Sequence, residues 1–175
     1  DSHRKFLDLF LSSGFKSLSK LDDLRNHLEN LGREEALLPG LGPDKAKKLL
    51  AACVAETSLL SAIYWICCSY ALLGHRVDAD RRDRILSFTS QCRCNNGAFA
   101  PHPAHDQELL STVSAVQIAC LLEEPKILGD LAEVSAYIRA LQLPDGSFTP
   151  RSGSDVSQGD CRFTFAALCA LKLLA

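Results

Sequence analysis

A turn that occurs twice at one fixed spacing restricts the fold of this chain more than any other feature. Asn96-Gly97-Ala98-Phe99 and Asp145-Gly146-Ser147-Phe148 place their glycines 49 residues apart and their phenylalanines the same 49 apart. Gln91 and Gln142 stand ahead of the two turns, each at the end of a one-sided segment, "RRDRILSFTSQ" and "LAEVSAYIRALQ". In the second of these, Leu131, Val134, Ile138 and Leu141 follow helical spacing while Glu133 and Arg139 face away. "SLLSAIYWICCSYALLG", "ELLSTVSAVQIACLLEE" and "CRFTFAALCALKLLA" are apolar on almost all faces, as helices buried between layers are. Ser61 and Ser111, in the first two of them, lie 50 residues apart. A period of about 50 residues, each holding one outer and one inner helix, predicts an all-α repeat architecture.

Composition narrows the function classes. The net charge of -2 over 175 residues exerts no global pull toward nucleic acid or anionic lipid. The opening "DSHRKFLDLF" carries charges where a secretory signal is apolar, and the nearly uncharged run 57–73 is too short to span a bilayer. The expectation is a cytoplasmic protein without a membrane span. With no Met in the chain, the sequence reads as a piece of something longer. Of its eight cysteines, Cys53, Cys67, Cys68, Cys120 and Cys169 lie in apolar helical runs, where a thiol behaves as a small hydrophobe, and that usage fits a reducing compartment. The loop "CRCNNGAFAPHPAH" sets Cys92 and Cys94 ahead of His102 and His105, four residue types that ligate zinc. Cys-x-Cys cannot chelate as a Cys-x2-4-Cys knuckle does, so the loop is read as an ordinary turn and no metal ligand is assigned.

Four segments together carry a family resemblance: "LLSAIYWICCSYALLG", "HDQELLSTVSAVQI", "LQLPDGSF" and "GDCRFTFAAL". In order and spacing, 57–175 resembles the beta subunits of protein prenyltransferases, most closely the type II (Rab) geranylgeranyltransferases. The resemblance implies a partial alpha-alpha toroid of helix-pair repeats, preceded by a small helical segment over 1–56. It implies that Ser61, Ser111, Val113 and Phe165 line an isoprenoid pocket, with Arg162 of the Asp-x-Arg motif at the pocket wall. It also implies geranylgeranyl diphosphate and a small GTPase as substrates, an alpha subunit as partner, and zinc as the ion that activates the acceptor thiolate. The family's zinc ligands and diphosphate-binding cluster belong to the second half of its toroid, so no catalytic residue is assigned here and the chain alone is expected to be inactive. The family's Trp-Gly-Glu ahead of Asp-x-Arg is replaced here by "SDVSQG".

Upstream, "EEALLPGLGPDKAKKLLAA" resembles a helix-hairpin-helix nucleic-acid module. Gly40 and Gly42 permit a tight hairpin, and amides at the following helix start, with Lys45, Lys47 and Lys48, could hold a phosphate. The same residues also read as a plain turn before a helix opened by Pro43 and Asp44. Nine basic against nine acidic residues over 1–56 argue against tight DNA binding. The alternative kept from this segment is a nucleic-acid module joined to a noncatalytic toroid fragment.

Overall fold

A computed structural model describes residues 56–154 and 159–175. The chain divides into two compact units, Asp1–Thr57 and Ser58–Ala175. Cys53, Gly40, Gly42, Lys45, Lys47 and Lys48 lie outside the described residues.

The second unit alternates apolar and one-sided helices as the period requires. Helix α1 spans Leu59–Leu72, α2 Ala79–Gln91, α3 Leu109–Leu121, α4 Leu131–Ala140 and α5 Cys161–Leu173. A short 3-10 turn, Pro125–Leu128, precedes α4 and was not predicted. Asp78 and Asp130 start the outer helices α2 and α4 by accepting backbone N–H bonds from Arg81 and Ala132, the ordinary role of Asp at a helix start. Helices α1, α3 and α5 pack side by side as an inner layer, with α3 in the middle. The outer helices turn Ile85, Phe88, Val134 and Ile138 into the core. Leu131, grouped with that stripe from sequence, sits at the first position of α4 and stays partly exposed.

Of the three helices that read as apolar on almost all faces, α3 is the most deeply buried, although Leu110 and Leu121 near its two ends stay partly exposed. Serine, threonine and alanine let it sit close between two neighbours, with Leu109 and 111–116 all buried. Helices α1 and α5 each pack against α3 and leave another side open, where Trp65, Leu72, Phe165 and Leu168 are exposed. Cys120, read as a small core hydrophobe, is exposed near the end of α3.

Hydrogen bonds repeat with the sequence period. In the first turn Cys94 N–H donates to Ala98 O at 2.9 Å and Ala100 N–H to Cys92 O at 2.9 Å. In the second, Leu143 donates to Ser147 at 2.7 Å and Thr149 to Leu141 at 3.1 Å, the same pairs 49 residues on. Each turn then closes over the start of an inner helix: Leu60 N–H donates to Pro101 O at 3.3 Å and Leu109 N–H to Pro150 O at 2.8 Å. The first amides of a helix have no partner within it, so these proline carbonyls satisfy donors that would otherwise be orphaned. A threonine in the next inner helix completes the joint, Thr112 Oγ1 accepting from Phe99 N–H at 3.0 Å and Thr164 Oγ1 from Phe148 N–H at 3.3 Å.

Gly97 and Gly146 are equivalent in sequence and differ in the fold. Both hold positive φ, 79° and 89°, a region that L side chains rarely occupy. A Cβ on Gly97 would stand 2.6 Å from the carbonyl carbon of Glu133 and 2.7 Å from Val134 N, backbone atoms at the start of α4. A Cβ on Gly146 would meet nothing within 4 Å. Gly146→Ala is therefore expected to cost about 1 kcal/mol of conformational strain, and Gly97→Ala about 3 kcal/mol or more because the clash adds to the strain. Equilibrium urea unfolding of the two variants checks the order, and equal losses would contradict it.

Candidate functional site

The side chains singled out from sequence gather near the starts of the inner helices, and the structure sorts them. Ser61, on the first turn of α1, is half-buried and lies 3.0 Å from Ser114 Oγ of α3. Ser114 Oγ itself donates to Leu110 O at 2.8 Å, so the Ser61 hydroxyl is the donor between the two helices. Ser111 has no exposed surface, and its hydroxyl donates to Glu108 Oε1 at 2.8 Å. Thus Ser114, not Ser111, is the hydrogen-bond partner of Ser61. Val113 is buried two residues further along α3, and Phe165 stands 72% exposed on α5.

Arg162 opens α5 in a compact charge pair. Asp160 accepts the Arg162 backbone N–H at 2.7 Å, while the guanidinium bonds both carboxylate oxygens, Nε to Oδ1 at 3.1 Å and Nη2 to Oδ2 at 2.7 Å. The same guanidinium sits 5.9 Å from the Phe163 ring centre. These bonds hold the Asp160 carboxyl at about 2, and Asp160 in return raises the pKa of Arg162. The pair faces solvent, with the arginine side chain mostly exposed and its charge directed outward from the helix start.

Sequence reasoning passed over a polar seam across the three inner helices. The Tyr64 hydroxyl of α1 lies beside Cys68, Gln117 of α3 and Cys169 of α5; burial raises its pKa most, Cys68 and Cys169 add to this, and the Gln117 hydrogen bond opposes it. Tyr64 also rests against Trp65 with ring centres 5.0 Å apart. Trp65, the chain's one tryptophan, is 64% exposed. The spacing 61, 65, 68 and 72 puts Ser61, Trp65, Cys68 and Leu72 on one side of α1, a signal that was legible in the sequence. Behind the site, Glu108 also faces Arg151 at 3.8 Å. The buried Tyr137 hydroxyl has no hydrogen-bond partner among the described residues; burial first and then Glu108 push it up to about 12.

Cys92 and Cys94 do not gather with His102 and His105 into one set of ligands. Burial pushes the Cys92 thiol up to about 12 and raises that of Cys94. The Cys94 thiol points at Cys92 O, 3.9 Å away. His102 Nδ1 accepts from Ala104 N–H at 3.2 Å, and its ring meets His105 edge-on at 5.8 Å. Among the described residues neither cysteine belongs to a group of three ligand atoms within 4.8 Å of one another.

The Asp160 carboxyl titrates below its ordinary 3.8, so the pair favours the folded state above that pH and its contribution disappears as pH falls from about 3.8 to about 2. An NMR titration of the Asp160 side-chain carbon is expected to show this low midpoint, and Arg162→Gln to move it upward. A wild-type midpoint near 4 would refute the pairing.

Comparison with known proteins agrees with this arrangement of repeats. The prenyltransferase alpha-alpha toroid domain matches residues 45–175, a span that begins upstream of the compact unit at 58–175. The geranylgeranyl transferase type-2 subunit beta of Saccharomyces cerevisiae is 37% identical over 124 residues, covering 69% of this chain and 37% of that protein. The subunit of the same name from Schizosaccharomyces pombe is 42% identical over 64 residues, covering 37% of this chain and 20% of that protein. The protein farnesyltransferase subunit beta of Pisum sativum is 28% identical over 113 residues, covering 63% of this chain and 27% of that protein. The aligned stretch spans well under half the length of each relative. With the match spread over both helix-pair repeats and α5, this chain belongs to the prenyltransferase alpha-alpha toroid family.

Proposed function

We propose that this chain forms part of the beta subunit of a type II protein geranylgeranyltransferase, and that its inner helices supply one wall of the isoprenoid pocket. The transferred group would pass from geranylgeranyl diphosphate to a C-terminal cysteine of a Rab-type small GTPase, with an alpha subunit as partner. The observation that carries the reading is the exposed apolar side of the inner layer. Trp65, Leu110, Phe165 and Leu168 are all open to solvent although they belong to helices whose opposite sides form the core. An apolar surface of this kind marks a binding site, and a prenyl chain matches it in chemistry. Type-2 beta subunits among the relatives favour the longer prenyl group, and the small Ser61 leaves room for it.

In this reading the chain's own residues bind and orient. Trp65 and Phe165 offer flat apolar contact, and Ser61, tied to Ser114, keeps α1 and α3 in register beneath it. Arg162, fixed by Asp160 at the start of α5, presents a positive charge at the pocket wall. Zinc, which the resemblance implies for activating the acceptor thiolate, finds no four-ligand set in Cys92, Cys94, His102 and His105, because neither cysteine gathers with the histidines among the described residues. The cysteines Cys67, Cys68, Cys92, Cys94, Cys120, Cys161 and Cys169 are free thiols, which supports work in the reducing cytoplasm. No helix among the described residues is long and apolar enough to cross a membrane.

The test is the choice of prenyl donor by the enzyme assembled with its alpha subunit. Ser61→Trp is expected to lower geranylgeranyl transfer about 5- to 150-fold, the equivalent of overpacking a filled site, and to affect farnesyl transfer less. Ser61→Ala, which removes the hydroxyl without adding bulk, is expected to leave the ratio of the two near wild type. An unchanged ratio in a folded Ser61→Trp enzyme would show that Ser61 is a packing residue.

A further inference from the structure

At the other end of the inner helices, α1 and α3 stop over a cleft of about 460 Å3 that the prenyl reading does not use. Ala71, Val77, Leu121 and Leu122 give part of its wall an apolar character. Cys67 also lines it, and burial pushes that thiol up to about 12.

Charges of opposite sign enter from different elements. His75 and Arg76 come from the α1–α2 connection, Arg82 from α2, and Glu123 from the end of α3. Arg82 is committed: its Nη2 donates to Leu122 O at 3.1 Å and to Glu124 at 3.2 Å, which offsets its charge and fixes the rim. Arg76 and Glu123 are exposed, and neither side chain has a partner among the described residues. A purely anionic ligand would meet Glu123, and a purely cationic one would meet Arg76.

Glu123 carries a second, independent signal. Its φ of 53° lies in the left-handed region, and it is the one non-glycine there among the described residues. The position 49 residues earlier is Gly74, with φ 68°. Both end their helix in the same way, His75 N–H reaching Tyr70 O at 2.9 Å and Glu124 N–H reaching Ala119 O at 2.9 Å, a termination in which glycine is usual. The second repeat therefore keeps a carboxylate, under backbone strain, where the fold requires only glycine. Strain retained beside a cleft is a feature of binding sites.

We propose that this cleft binds a small amino-carboxylate, its carboxylate on Arg76 and His75, its ammonium on Glu123 and its apolar carbon frame over Val77, Leu121 and Leu122. The claim does not depend on the prenyl reading, and the 175-residue chain itself tests it. Amide NMR at low salt would follow titration with leucine and with 6-aminohexanoate, two zwitterions of different span, and with hexanoate and hexylamine, which each carry one of the two charges. Saturable shifts confined to the amides of 70–77 and 121–124 are expected for at least one zwitterion, with binding about tenfold weaker for the singly charged probes. Glu123→Gly and Arg76→Gln are each expected to weaken the zwitterion about tenfold. Glu123→Gly should at the same time match or exceed the wild-type melting temperature, because glycine relieves the left-handed backbone. Absence of shifts with both zwitterions, equal binding of hexanoate or hexylamine, or full binding by both variants would overturn the proposal.

Discussion

The fold of this chain depends on a backbone bond made twice, the carbonyl of a proline just past each Gly-Phe turn accepting an amide at the start of an inner helix. Pro101 does this for Leu60 and Pro150 for Leu109. Such a bond joins the end of one helix pair to the beginning of its inner helix, so each outer helix must fold back over the layer it covers. The turn reaches that point only because Gly97 and Gly146 adopt positive φ and because Thr112 and Thr164 hold the phenylalanine amides. Phe99 and Phe148 are thereby buried, and the inner helices begin at matched levels.

Matched starts are what create a candidate site. Ser61 and Arg162 stand on the first turns of α1 and α5, and Trp65, Ser114 and Phe165 on the second turns of α1, α3 and α5. Magnitudes indicate which of these side chains would drive binding. Covering the exposed parts of Trp65 and Phe165 would each remove on the order of 150 Å2 of apolar surface from water, worth about 3–4 kcal/mol. A hydrogen bond such as that from Ser61 to Ser114 nets about 0.5–1.5 kcal/mol. The aromatic contacts thus dominate the energy, while the serines fix where the helices lie.

Much of this was legible in the sequence, because helical repeats announce themselves through spacing. The 49-residue period located the turns, and the alternation of one-sided and all-apolar segments located five helices. What escaped were contacts that depend on a third dimension. Ser111 and Ser114 lie one helical turn apart on α3, and only the packing of α1 decided that Ser114 meets Ser61 while Ser111 turns to Glu108. Gly97 and Gly146 read alike, yet the backbone of α4 presses on the first alone. Glu123 could have been noticed as the misfit at the position of Gly74, but its conformation needed coordinates. Asp160 and Arg162 were visible as a motif, and their mutual bonding followed from the helix start.

Trp65 offers the most direct test of the central claim, that the open side of the inner layer receives a prenyl chain. It is the chain's one tryptophan and lies on that side, so its emission reports the site without competing signals. Titrating the folded chain with geranylgeranyl diphosphate is predicted to shift the emission to shorter wavelength in a saturable way, with inorganic diphosphate giving no shift. Emission that stays at its solvent-exposed wavelength through the titration, in a chain whose circular dichroism remains helical, would contradict the account.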